Sequence, residues 1–199
     1  GSGWAPCVNF SRVSKAPALM AVTAELDEAS ETLTLRHPDR PDLVFRPDAE
    51  PQRLIDWARP LMPADRAASA RIVRVPGRGM TDSDFASITI CNLSSHRAVE
   101  QRLGRALSIH RWRGNIWLDG LGPWEEFEWL DREIRVGGAV LRVRERTDRC
   151  LATAANPETG RRDADTLGAL ESWGHRDFSV RAEVIRGGEV AVGDAAGPA

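Results

Sequence analysis

The chain has 199 residues, of which 42% are hydrophobic and 28% are charged, and its formal net charge is −2. This composition is typical of a globular protein, and the slight negative charge argues against a dedicated nucleic-acid binder. No apolar run reaches the roughly 18 residues of a membrane-spanning helix, and the first residues show no signal-peptide pattern. We therefore expect no membrane partner and a cytoplasmic location.

The first third of the chain alternates short strands with turns. Leu19–Leu26 and Thr32–Arg36 have period-two patterns on either side of a polar segment, which predicts a β-hairpin. Leu43–Arg46 is predicted to be a third strand, and Pro51 marks the first turn of a helix. A further strand is predicted at Arg71–Val75.

The middle of the chain contains a strand followed closely by a helix. Ser87–Cys91 is the predicted strand. Ser94 or Ser95 can cap a helix that runs through Leu103 and ends at Gly104.

The last third is richer in strands. Asn115–Leu118 is a short predicted strand, Asp163–Trp173 a predicted helix, and the tail from Asp194 is expected to fray. Two-glycine links between alternating segments predict two hairpins, because primed turns need positive φ. These hairpins are Glu133–Val136 with Ala139–Glu145 around Gly137-Gly138, and Val180–Arg186 with Glu189–Val192 around Gly187-Gly188. The fold class predicted is mainly β (α+β), a β-barrel with a few peripheral helices.

The three cysteines indicate a reducing environment. Cys7, Cys91 and Cys150 are widely spaced and odd in number, which is not the pattern of a disulfide framework or a zinc site. Cys91 lies in an apolar run and is predicted to be core. Cys150 follows Arg146 and Arg149, and two arginines can stabilise a thiolate.

Residues 97–113 are locally basic and precede several tryptophans. This combination can bind single-stranded nucleic acid, but a solvated helix face followed by buried tryptophans explains it better. Glu125, Glu126, Glu128 and Asp131 lie among the tryptophans and would repel a phosphate backbone. A small anionic ligand held by one or two arginines fits better than a polymer.

Three segments, taken together, resemble one known family. They are the run Arg111-Trp112-Arg113-Gly114-Asn115 with Pro123-Trp124-Glu125-Glu126, the run Asp148-Arg149-Cys150-Leu151-Ala152-Thr153 with Asn156-Pro157-Glu158-Thr159-Gly160, and the pair Phe178-Ser179-Val180 and Val192-Gly193-Asp194. In order and spacing they resemble the MOSC domain, and most closely its stand-alone members such as the mitochondrial amidoxime-reducing component and its bacterial relatives. The resemblance implies a partial β-rich N-terminal subdomain over residues 1–64 and a MOSC domain with its β-barrel over residues 65–199.

The resemblance implies a molybdenum cofactor (molybdopterin) and a set of residues that hold it. Cys150 matches the cysteine that ligates molybdenum, and Arg149 matches an arginine that lines the pocket. Arg113 and Asn115 match the pair that holds the pterin and its phosphate. Further matches are looser: Asp84, Phe85 and Ser87 in a loop against the pterin, and Asn92 and Ser95 in a strand-to-helix turn whose backbone N–H groups favour an anion.

For function, the resemblance implies an enzyme that reduces small N-hydroxylated substrates, with Cys150 as the catalytic metal ligand. Electrons would come from a separate electron-donor protein, because no iron–sulfur cluster is expected in this chain, and pyridoxal phosphate belongs only to multidomain members of the family. The alternatives are a sulfur carrier with a Cys150 persulfide and a non-catalytic cofactor-binding module.

One part of the family pattern has no match in this sequence. The relatives open with a strand that carries a Lys-Ser pair, and a downstream arginine follows it. We therefore expect the N-terminal barrel to be incomplete, with low cofactor occupancy and self-association through an exposed sheet edge.

Overall fold

The computed structural model describes residues 5, 7–66, 69–74, 79 and 81–199. The chain divides into two compact units, each made of two stretches of sequence. The first comprises Gly1–Arg78 and Leu151–Ala164, and the second comprises Gly79–Cys150 and Asp165–Ala199. The domain boundary after residue 64 stays a prediction.

The first unit contains a three-stranded antiparallel sheet followed by a helix. The strands are β1 (Thr23–Asp27), β2 (Thr32–His37) and β3 (Arg40–Phe45), and they lie side by side in that order. The helix is α1 (Pro51–Ala58), in which proline at the first turn sacrifices no hydrogen bond. Apolar side chains of β2, β3, α1 and the 3₁₀ helix Arg59–Leu61 form the core of this unit, namely Leu35, Leu43, Phe45, Trp57 and Leu61. The predicted hairpin, third strand and helix are confirmed.

Two predictions in this unit differ from the structure, one in where a strand begins and one in whether a strand exists. The first strand begins at Thr23 because Pro17–Ala21 forms a short 3₁₀ helix instead. The predicted strand Arg71–Val75 is wrong for residues 71–74, which have no regular secondary structure, and Val75 lies outside the described residues. An alternating pattern needs a neighbouring strand to pair with, and within the described residues none pairs with 71–74.

The second unit is built on a mixed six-stranded sheet that curls into a half-barrel. Its strands are β4 (Ser87–Asn92), β5 (Ile116–Leu118), β6 (Glu133–Val136), β7 (Ala139–Asp148), β8 (Asp177–Arg186) and β9 (Ala196–Pro198). The spatial order is β5-β4-β8-β7-β6-β9, and only the β4–β5 pair is parallel among these strands. Ile90, Leu141, Val143, Val180 and Ala182 pack in its core. The predicted strand-rich α+β class is confirmed.

Helix α2 (Leu93–Leu103) follows β4 without a loop. Its N-cap is Asn92, whose Oδ1 accepts a hydrogen bond from Ser94 N at 2.8 Å. The predicted cap at Ser94 or Ser95 is therefore wrong by two or three positions. The predicted end is confirmed, because Gly104 adopts φ 66°, the left-handed conformation that closes many helices.

Helix α3 (Thr166–Glu171) is shorter than its predicted span of 163–173. Asp165 caps it, since its Oδ1 accepts from Gly168 N at 2.9 Å. Within the described ranges, the chain has no helix whose length and apolar character would let it cross a membrane.

The two glycine pairs play different roles. The predicted Gly137-Gly138 hairpin joins β6 and β7, with Gly137 at φ 54°. The predicted hairpin at Gly187-Gly188 is wrong, because residues 187–195 form no strand. A Cβ on Gly188 would meet the backbone of Gly138, so this glycine permits a close backbone approach. The tail is not frayed either: β9 pairs with β6.

Candidate functional site

Cys150 lies two residues beyond the end of β7. The residue is exposed, in keeping with a cysteine that a ligand or reagent can reach. Cys91, in contrast, is fully buried in β4, and burial raises the pKa of its thiol to about 12. The prediction that Cys91 is a core residue is confirmed. The two cysteines therefore differ in accessibility as their sequence contexts indicate.

Arg149 precedes Cys150, and its guanidinium donates three hydrogen bonds within the protein. Its Nε donates to the Phe178 carbonyl at 2.9 Å, and its Nη1 donates to the Trp112 carbonyl at 2.9 Å. Its Nη2 donates to Ser179 Oγ at 2.6 Å. The guanidinium thus joins β8 to the turn after residue 112.

Burial lowers the pKa of Arg149 to about 10, and the neighbouring Cys91, Cys150 and Asp148 act in the opposite direction. A pKa of about 10 still leaves the guanidinium charged at neutral pH. The group that follows β7 is therefore a fixed positive charge beside an exposed thiol.

The aromatic rings of Trp112 and Phe178 stack on each other with centroids 3.7 Å apart. Both residues are fully buried, and each is followed by a residue in the left-handed region, Arg113 at φ 53° and Ser179 at φ 76°. Non-glycine residues adopt this conformation at a cost, so the surroundings must hold it. Arg149 supplies part of that hold, because it binds the carbonyls of both stacked residues.

Arg113 presents its side chain to solvent from this turn. Its backbone N–H donates to the His110 carbonyl at 3.2 Å, which closes a short 3₁₀ helix at Ile109–Trp112. Among the described residues, no hydrogen bond or ion pair to the Arg113 guanidinium is found. The whole donor fork of Arg113 is therefore open to an anion.

Asn115 attaches the next part of the turn to β4. Its Oδ1 accepts from Thr89 N at 2.9 Å, and its own N–H donates to the Thr89 carbonyl at 3.0 Å. Gly114, between Arg113 and Asn115, packs against Cys91, where a Cβ would collide with the sulfur. The side-chain oxygen of Asn115 is thus engaged by β4, and the residue as a whole is exposed.

The loop before β4 contains the three looser matches, Asp84, Phe85 and Ser87. Ser83 Oγ donates to the Phe85 carbonyl at 2.7 Å and lies 2.8 Å from Ser87 Oγ, whose hydroxyl can donate to it. The guanidinium of Arg144 lies 5.5 Å from the centre of the Phe85 ring. Asp84 is exposed. These contacts fix the loop as a compact turn.

Asn92 and Ser95 are turned inward to a buried carboxylate. Asn92 Nδ2 donates to Glu126 Oε2 and to the Gly122 carbonyl, each at 2.7 Å. Ser95 Oγ donates to Glu126 and accepts from Trp124 N at 2.9 Å. All three side chains are fully buried, and burial raises the pKa of Glu126. We call Asn92, Ser95 and Glu126 the glutamate network.

The structure thus divides the predicted site residues into three groups, of which the first is Asp84, Phe85 and Ser87 in the loop that leads into β4. Arg149 precedes Cys150 in the chain and donates to the carbonyl of Trp112, the residue before Arg113. We call Cys150, Arg149, Arg113 and Asn115 the arginine–thiol cluster. Asn92 and Ser95 belong to the glutamate network, and their part in binding a cofactor stays a prediction. Sequence reasoning missed Glu126 as their partner and Phe178 and Ser179 as acceptors for Arg149, because contacts between residues 30 or so positions apart leave no local pattern.

The cluster combines an accessible soft donor with fixed positive charge. Within the ranges that the structure describes, there is no group of three or more His, Cys, Asp or Glu side chains that could hold a metal ion. What the arrangement can do is bind an anion at Arg113 and offer a thiol at Cys150.

Comparison with models of protein families identifies the family of the chain. The family model described as the MOSC domain matches residues 78–196, which is more than half of the chain. That family includes molybdenum-cofactor-associated enzymes. No curated protein matches this sequence.

Proposed function

Because the chain belongs to the MOSC domain family, we propose that it binds the molybdenum cofactor and reduces small N-hydroxylated molecules, with Cys150 as the protein ligand of molybdenum. One observation carries the proposal: the exposed Cys150 follows Arg149, whose guanidinium binds the turn that carries Arg113. A soft metal ligand and an anion-binding arginine are thereby part of one contact network.

The chemistry of these side chains fits the cofactor. A thiolate suits a high-valent metal that already has sulfur ligands. The open guanidinium of Arg113 has the planar fork that matches a phosphate, and the exposed Asn115 amide can donate beside it. When bound, the cofactor would supply a metal centre that exchanges electrons and accepts an oxygen atom.

The residues of this chain have the supporting roles in the proposed reaction. Cys150 would bind the metal, and Arg113 would orient the anionic end of the cofactor. Arg149 would hold the turn that carries Arg113 in a fixed position relative to Cys150. In the overall reaction the N–O bond of the substrate breaks, two electrons and two protons are taken up, and water is released. We propose that a separate electron-donor protein supplies the electrons and that the protein acts in the cytoplasm.

A second candidate function is a sulfur carrier, and the exposure of Cys150 favours it. In this reaction the Cys150 thiolate attacks the outer sulfur of a persulfide on a donor protein. A new S–S bond forms on Cys150, the donor leaves as a thiolate, and no net oxidant is needed. The positive charge of Arg149 would favour the attacking thiolate.

The two functions can be separated in protein made by a host that synthesises the cofactor. We would measure molybdenum content, pterin fluorescence and intact mass for the wild type, Cys150→Ser and the matched control Cys7→Ser. We expect the wild type and Cys7→Ser to contain molybdenum at the low occupancy expected above and to reduce an N-hydroxyamidine, with an artificial electron donor, in proportion to that content. We expect Cys150→Ser to be inactive.

A mass increase on Cys150 that a reductant removes, without molybdenum, would support the sulfur carrier and overturn the reductase. Full activity in Cys150→Ser would overturn both functions. Circular dichroism of each variant shows whether the fold is retained, which we expect because hydroxyl and thiol are similar in size.

A further inference from the structure

His96 is a buried histidine of α2 that makes a defined hydrogen bond with each ring nitrogen. Its Nδ1 accepts from Trp112 Nε1 at 3.0 Å, and its Nε2 lies 3.1 Å from the Leu107 carbonyl. An indole N–H can only donate and a carbonyl can only accept. Both bonds therefore require the neutral ring with its proton on Nε2.

Trp112 extends this arrangement to the arginine–thiol cluster. Its indole meets His96, its ring stacks on Phe178, and its carbonyl accepts from Arg149. The next residue is Arg113, held in the left-handed conformation. The orientation of the Arg113 turn thus depends on the position of the Trp112 side chain. His96 fixes that position through its hydrogen bond with the indole N–H.

We propose that His96 is a positioning residue for anion binding at Arg113, which it controls through the indole of Trp112. This inference rests on the proposed function, because it assumes that Arg113 binds the anionic part of the ligand. A proton on Nδ1 would turn the acceptor of Trp112 into a second donor and release the indole. Anion affinity is then expected to fall as His96 becomes protonated.

The surroundings of His96 set the direction of its titration. Burial lowers its pKa, Glu100 at 3.4 Å and the Leu107 carbonyl raise it, and Arg97 lowers it. Among the described residues, the charged groups that act on His96 are Glu100 and Arg97, both in α2. The neighbouring segments contribute the rings of Trp112 and Trp117. The net shift is downward, so the loss of affinity is expected below the ordinary histidine pKa of about 6.5.

The test measures binding of inorganic sulfate, which keeps its charge over the whole range, by calorimetry from mildly alkaline to acidic pH. We expect wild-type affinity to fall about three- to tenfold on acidification, the range that one lost neutral hydrogen bond gives. A simple charge attraction from protonated His96 would instead strengthen binding at low pH, and that result would overturn the proposal.

Two variants make the result specific. In His96→Asn the side-chain oxygen can accept from Trp112 but cannot titrate, so we expect near-wild-type affinity at neutral pH and a flat pH profile. Trp112→Phe keeps the ring on Phe178 but loses the indole donor, so we expect about three- to tenfold weaker binding at neutral pH and again a flat profile.

An Arg113→Ala control distinguishes this inference from the function on which it rests. If Arg113→Ala binds sulfate as the wild type does, the proposed anion site is wrong. If Arg113→Ala loses binding but His96→Asn retains the wild-type pH dependence, the anion site stands and the role of His96 is wrong. Thermal unfolding of each variant shows that the folded protein is being compared.

Discussion

The glutamate network and the arginine–thiol cluster both place a charged side chain inside the second unit, but they end differently. In the glutamate network, Glu126 is fully buried and receives its hydrogen bonds from Asn92 and Ser95. In the arginine–thiol cluster, Arg149 is equally engaged, yet its neighbour Cys150 is exposed. All members of the glutamate network are buried, while the arginine–thiol cluster includes an exposed cysteine that can react.

The difference teaches which polar residues can serve a ligand. A buried polar group whose hydrogen bonds are all made within the protein contributes stability, but it has no donor or acceptor available for a ligand. Arg149 belongs to this class although it lies next to the thiol, because backbone carbonyls and a serine use its donors. Arg113, whose donors are open, is the residue of the cluster suited to binding an anion.

The largest effect is expected from Arg149→Met. Three buried or partly buried acceptors lose their donor at once, so the free energy of unfolding should fall by about 3 kcal/mol. Urea unfolding measures this change. Arg149→Lys keeps the charge but cannot reach all three acceptors, and we expect an intermediate loss. An unchanged urea midpoint in Arg149→Met would show that the carbonyls do not depend on this residue.

A smaller loss, about 2 kcal/mol, is expected from Asn92→Ala, which removes both the cap of α2 and a donor to Glu126. Asn92→Ser is the matched control, because a serine can cap the helix but lacks the Nδ2 donor to Glu126. Wild-type stability in Asn92→Ser would mean that the cap alone, and not the buried carboxylate, explains the effect.

The pH dependence of stability tests the buried carboxylate directly. Burial raises the pKa of Glu126 in the folded protein above the value of about 4.3 in an unfolded chain. The stability contributed by its protonated form is therefore complete below the unfolded pKa and is lost as pH rises through the folded pKa. We expect wild-type stability to fall relative to Glu126→Gln over that window, by less than the Asn92→Ala loss. If the difference in the free energy of unfolding between the two proteins does not change with pH, the pKa of Glu126 is not raised.

The smallest effect on stability is expected from Arg113→Ala. Its side chain is exposed, so the free energy of unfolding should change by no more than about 0.5 kcal/mol. Cofactor or sulfate binding should nevertheless be lost. A large loss of stability with unchanged binding would make Arg113 a structural arginine and erase the contrast with Arg149.

Much of the fold could be predicted because its signals are local. The Gly137-Gly138 hairpin, the β1–β2 hairpin and the helix after Pro51 each depend on residues a few positions apart. Strand β9 was missed because Ala196-Gly197-Pro198 has no strand pattern of its own, and its pairing with β6 is a contact distant in sequence. Gly187-Gly188 was misassigned because the same residue pair also suits close packing of two backbones.

The candidate site was predicted in part for the same reason. The difference in exposure between Cys91 and Cys150 follows from their immediate neighbours, one apolar and one charged. The partner of Asn92 could not be predicted, because three glutamates follow the turn and only tertiary packing selects Glu126. The seating of Trp112 on His96 is equally invisible, since the two lie on separate elements.

The interleaving of the two units along the chain has a consequence for how the protein is made. Ser87 of β4 pairs with Glu183 of β8, and the first unit includes Leu151–Ala164. Each unit therefore depends on residues that leave the ribosome after position 150. Contacts this distant in sequence slow folding, because the loop between them must be ordered before any pairing energy is gained. A nascent chain stopped at Arg78 would lack part of its own unit, so neither unit can be completed until most of the polypeptide has been synthesised.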